Sequence, residues 1–172
     1  MNEAIPEFSR LVPLARLSSK PFRQRIEATP DERLRLARRF DLVALDTLTA
    51  AVTLCRQEGE IVLLEAEFAA EFAQACVITL DPVPAMVSGS FSLLYGPADE
   101  APTEIAFGVD EIVFEPLSGD AIDVGEAIAQ ELSLALPEFP RDLDAAIDDL
   151  AAPEPEDSPF AALAGLRKIV GD

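Results

Sequence analysis

The nucleophiles, general bases and metal ligands of this chain are of few types, and the types present restrict the chemistry it can do. There is no histidine among 172 residues. A serine or cysteine nucleophile therefore has no imidazole to activate it, and neither a histidine general base nor a histidine-ligated zinc site can be assembled. The phosphate-cradling patterns G-x-x-x-x-G-K-[ST] and G-x-G-x-x-G and the nucleophile elbow G-x-S-x-G are absent. Carboxylates are plentiful, with 32 Asp and Glu. Asp99-Glu100, Asp148-Asp149 and Glu154, Glu156, Asp157 fall in loop-like sequence, where runs of charge are solvated surface far more often than sites. No Gly-centred calcium loop is present. The two thiols, Cys55 and Cys76, could form one bridge in principle, but buried free thiols are the default reading, because MNEAIPEF carries no secretory signal and a cytoplasmic, reducing compartment is expected. No catalytic residue, metal or cofactor is assigned, and an enzyme is not expected.

Charge is the stronger signal. No Lys or Arg occurs between Arg56 and Arg141, whereas seventeen acids do; residues 1–56 carry a net +3 and residues 57–172 a net −22. Such an acidic body repels phosphate backbones and attracts basic proteins. The basic part offers one candidate nucleic-acid contact: Arg35, Arg38 and Arg39 share a face at i, i+3 and i+4 on a predicted helix, with Arg23 and Arg25 just upstream. Aromatic residues interleave with them only at Phe22 and Phe40, so self-pairing with the acidic part competes with phosphate contact.

The elements that must position these groups read as strands first and helices later. Segments 10–17 and 20–28 are short strand candidates, the second with Phe22, Gln24 and Ile26 on one face. Helix 29–40 opens with Thr29 as cap, Pro30 at N1, and Asp31 and Glu32 in the first turn. Runs 42–55 and 60–72 form a hairpin about Arg56–Gly59; runs 73–80 and 83–95 follow, divided by a turn at Asp81-Pro82. Four such strands give a curved, mainly antiparallel sheet with bulges, barrel-like rather than flat. A flexible acidic loop over 96–110 and a short strand over 111–117 come next. Asp123 caps a helix with Glu126 three residues on and a stripe of Val124, Ile128, Leu132 and Leu136, which Pro137 ends. Glu131 borders that stripe and calls for a structural partner, such as an arginine of the N-terminal segment, if it is buried. An acidic linker over 141–158 leads to a last helix over 159–170 with Phe160, Leu163 and Leu166 on one side. The fold class is α+β, with an early helix and two or three C-terminal ones, in a single domain of 1–172. The longest apolar runs are far too short to span a membrane.

Three segments together resemble the YceD family. IDVGEAIAQELSLALPEFP (122–140) looks like its signature acidic helix ending in Leu-x-Leu-Pro-x-x-Pro, and SPFAALAGLRK (158–168) like its C-terminal Pro-Phe-x-x-Leu segment. Ala73-Gln74-Ala75-Cys76 stands where relatives often carry Cys-x-x-Cys, and Arg141-Asp142-Leu143-Asp144 where they often show Cys or His. One thiolate cannot make a four-ligand zinc site. The residues that match the family's motifs are Cys76, Asp123, Glu131, Leu134, Leu136, Pro137, Pro140, Pro159, Phe160 and Leu163, and the resemblance spans roughly 40–170.

The resemblance implies a role in large-subunit ribosome biogenesis, in support of 23S rRNA accumulation, with genes that commonly neighbour one for a small basic ribosomal protein. Combined with the charge, it implies a non-enzymatic factor that holds a basic ribosomal protein or a pre-50S particle on its acidic surface. The alternative is an rRNA-binding or rRNA-processing cofactor that works through Arg23, Arg25, Arg35, Arg38 and Arg39. Neither DNA nor a membrane is expected as a partner.

Overall fold

A computed structural model describes residues 6–18, 20–57, 59–98, 113–117 and 119–145. The chain divides into two units, Met1–Arg141 and Asp142–Asp172, and every element described here belongs to the first. The expected loop from residue 99 onward, the linker from 146 and the helix 159–170 lie outside the described residues.

Three long strands dominate because apolar residues recur at every second position. They are β3 (Ala44–Arg56), β4 (Val62–Ala75) and β5 (Pro82–Gly96). In β4, Val62, Leu64, Ala66, Phe68, Ala70 and Phe72 are buried, and Glu65, Glu67, Ala69 and Glu71 face solvent. The runs 60–72 and 73–80 are not separate strands. Residues Ala73, Gln74 and Ala75 continue β4 opposite Pro84, Val83 and Pro82, and 76–80 form the turn. Reversal occurs there because Leu80 takes a positive φ of 65°, and the Cys76 N–H donates to Asp81 O at 2.8 Å.

Shorter strands complete the architecture. β2 (Phe22–Glu27) pairs antiparallel with β3, and β6 (Val113–Pro116) pairs parallel with the end of β5, so the sheet is mixed with order β2-β3-β4-β5-β6. It is open: β2 and β6 are its edges, and the expected barrel-like closure does not occur, because no ladder joins them. A register irregularity between Leu45 and Thr47 supplies one expected bulge. Of segment 10–17, only β1 (Leu11–Pro13) is extended, and it pairs with β7 (Ala121–Asp123) in a second, two-stranded sheet. Pro13, with no N–H and a fixed φ, turns the chain into a single 3-10 turn over Leu14–Arg16.

Two helices are present among the described residues. α1 (Pro30–Arg39) starts with the anticipated capping box of Thr29 and Glu32. It stops where Asp41 takes φ 54° and the Leu42 N–H reaches Ala37 O at 2.8 Å. That is a Schellman-type end in which a short polar side chain takes the usual glycine position. α2 (Val124–Ala135) buries Val124, Ile128 and Leu132, as its stripe predicts, and Leu136 ends it before Pro137. Leu36 of α1 and Ile128 and Leu132 of α2 join Ile26, Leu48, Val52, Leu64 and Phe72 in one core cluster. Both helices therefore cover the inner face of the sheet. Each such fully buried aliphatic side chain contributes roughly 1.5–3 kcal/mol.

Candidate functional site

Helix α2 is fastened at its start by a carboxylate that serves two segments. Asp123 Oδ1 accepts from the N–H groups of Gly125 at 3.1 Å and Glu126 at 3.2 Å, which satisfies the first turn of α2. The same carboxylate accepts from Arg10 N at 2.7 Å and Ser9 Oγ at 2.6 Å, so the N-terminal segment is strapped across the helix end. The strap passes so close that a Cβ at Gly125 would sit 2.6 Å from Phe8 O and 2.8 Å from Arg10 N. This contact explains a glycine in the first turn of a helix, where it is otherwise unfavourable.

Ion pairs tie the strap to α1 and α1 to α2. Arg10 grips Glu32 in a bidentate pair at 2.6 and 2.9 Å and lies 4.7 Å from the ring centre of buried Phe8. Its guanidinium, helped by the Thr29 donors, holds the Glu32 carboxyl down to about 2. Arg39 makes a second bidentate pair with Glu126 at 2.8 and 2.9 Å and reaches Glu7 at 3.0 Å; these carboxylates raise its pKa further. Glu126 thus points to Arg39 and does not complete the capping box its spacing suggested. Glu131 is half-buried, and no hydrogen bond or ion pair joins its side chain to another described residue. An arginine of the N-terminal segment was one expected partner if Glu131 were buried; Arg10 instead pairs with Glu32, and Arg39 of α1 with Glu126. Partial exposure leaves Glu131 hydrated, so a partner is not required.

The far end of α2 docks on the β4–β5 turn. Gln74 Nε2 donates to Pro137 O at 3.2 Å, and the Val77 N–H donates to Pro140 O at 2.9 Å. The two proline carbonyls of the Leu-Pro-x-x-Pro motif therefore hold the motif against the turn. Cys76, fully buried, opens that turn, and its Sγ accepts from the Ile78 N–H at 3.4 Å. Leu136 is partly buried, whereas Leu134 is exposed. Pro159, Phe160 and Leu163 lie outside the described residues.

The five arginines do not form one patch. Arg23 and Arg25 point outward from β2, on the face opposite Phe22, Gln24 and Ile26. α1 sits on the inner side, so Arg35 and Arg38 are exposed beyond the helix layer, and Arg39 is committed to its two carboxylates. Arg25 lines a shallow trough of about 780 Å³ on the outer sheet face, together with Glu27, Thr49, Glu67, Ser88 and Ser90. Glu65, Glu67 and Glu71 run down β4 on that face.

Reading the sequence alone missed Arg10, Gly125, Leu80 and Phe139. The glycine one residue inside a capped helix signalled a close backbone approach. The phenylalanine between two prolines signalled an apolar group with no room in a regular element.

A family model described as large ribosomal RNA subunit accumulation protein YceD matches residues 64–167. The match begins within β4, later than the roughly 40–170 suggested by the order of elements. No curated protein and no solved structure matches the chain significantly.

Proposed function

The chain belongs to the YceD family of large ribosomal RNA subunit accumulation proteins, and from that premise we propose that it acts as a non-enzymatic, cytoplasmic assembly factor that holds a basic ribosomal protein, free or within a pre-50S particle, on its acidic surface. The family role in accumulation of the large-subunit rRNA comes with membership; the mode of action is our reading. One observation carries it. From Leu64, where the family match begins, to Pro140 there is no basic residue, and Arg39, the arginine that reaches α2, is neutralised by Glu126 and Glu7. A surface of that sign recruits cationic partners and opposes phosphate.

Direct rRNA binding is the second reading, favoured by the exposure of Arg23, Arg25, Arg35 and Arg38. Their division between opposite sides of the sheet spreads the positive potential that a backbone contact would need to concentrate. Affinity capture with the full chain from nuclease-treated lysate tests the choice. The expected result is a retained basic ribosomal protein, released as salt is raised. Retention lost with nuclease, together with rRNA-fragment binding abolished by charge reversal at those four arginines, would replace the first reading by the second.

A further inference from the structure

We propose that the β4–β5 turn and the Leu-Pro-x-x-Pro segment together form a docking surface for a basic segment that carries one or two large apolar side chains. This inference deepens the adaptor reading and rests on it. Val77, Leu80 and Phe139 are 52%, 76% and 78% exposed. They are brought together by the Val77 N–H bond to Pro140 O and by the turn that Cys76 closes with Leu80. Single exposed apolar residues are ordinary, but three on two hydrogen-bonded segments form a patch.

Leu80 is the least explicable by folding. Its φ of 65° lies in the left-handed region that favours Gly, Asn or Asp, and its side chain is mostly in solvent. Asp41 occupies the same region with a short polar side chain, as local preference dictates. A leucine there adds backbone strain and little burial within the described structure, so its contribution lies in contact with something else.

Charge selects the occupant. Exposed Asp81 follows Leu80 and exposed Glu138 precedes Phe139; exposed Arg141, directly after Pro140, is the first base in the chain after Arg56, and Asp142 follows it. RNA would bring phosphate to this acidic rim. A second copy would bring the same rim and another net charge of −19. A cationic segment with an apolar anchor matches both features, with the apolar contact at the centre and the charges around it.

The test passes the proteins of 50S subunits, stripped of rRNA, over the immobilised full chain. The same column is run with Leu80→Gly, with Phe139→Ser, and with Leu34→Ser on α1 as a control for exposed apolar residues in general. The wild type and the control should retain the same basic protein. Leu80→Gly and Phe139→Ser should each weaken retention by about tenfold, the size expected for loss of one buried anchor. Leu80→Gly should also leave Tm unchanged or higher, since glycine relieves the strain.

Retention by both patch variants equal to wild type would overturn the surface and leave the adaptor reading standing. No basic protein retained by the wild type would overturn that reading as well. A lower Tm for Leu80→Gly would mean that the chain itself covers the patch. A wild-type dimer in sedimentation that Leu80→Gly abolishes would assign it to a second copy. Either result overturns the proposal.

Discussion

At the N-terminal end of α2 the charged groups Asp123, Arg10, Glu32, Arg39 and Glu126 are all partnered, whereas at its C-terminal end Leu134, Phe139, Val77 and Leu80 remain in solvent. The first end joins the strap and both helices through bonds that are 2.6–3.2 Å long. The second is held by two backbone-carbonyl contacts from Pro137 and Pro140 and contains a leucine in a left-handed conformation. One end lowers the energy of the folded chain. The other leaves apolar surface and strain uncompensated within the described structure, as expected of a region whose favourable contacts come from a partner.

The sharpest way to break this contrast is at the strap. Gly125→Ala puts a methyl group against the backbone of Phe8 and Arg10, and we expect a loss of about 3 kcal/mol in urea unfolding. A loss below about 1 kcal/mol would mean that the strap yields easily and the two ends differ less than described.

Next in size is Glu32→Gln, which should cost about 2 kcal/mol at pH 7. Glu32 is depressed to about 2 in the folded chain by Arg10, so its contribution is complete above the ordinary carboxylate pKa and fades as pH falls from about 5 toward 2. Relief of the self-repulsion of 32 acids acts in the opposite direction, and the wild-type-minus-variant difference cancels it. A difference that stays constant down to pH 2 would remove Glu32 from the strap's energetics.

The smallest effect belongs to the other end. Val77→Ser should change unfolding free energy by less than about 0.5 kcal/mol, because the side chain is half in solvent. A loss comparable to that of Gly125→Ala would show the turn to be core, which would erase the comparison.

Much of the fold was legible locally. The capping box at Thr29, the Asp123 cap, the Val124–Ile128–Leu132 stripe and the Arg56–Gly59 hairpin depend on residues close in sequence. The strand count between 60 and 80 was not legible, since Ala73-Gln74-Ala75 has no alternation of its own and its state depends on β5 opposite. The parallel pairing of β6 was equally hidden, because a four-residue strand carries no mark of direction. At the site, neither the contact between Pro140 and Val77 nor the partner of Arg39 could be inferred from spacing.

The sequence by itself determined the helix starts, the period-2 strands and an acidic stretch with no base for 84 residues, because these follow from near-neighbour geometry and composition. Only tertiary structure decided that Arg23 and Arg25 lie across the sheet from Arg35 and Arg38, that Arg39 is spent on Glu126 and Glu7, and that the segment bearing Phe139 is hydrogen-bonded to the turn bearing Leu80. The physical reason is that charge and apolar area act through space. Residues 87 positions apart, such as Arg39 and Glu126, become neighbours only when the sheet and helices have set their relative places.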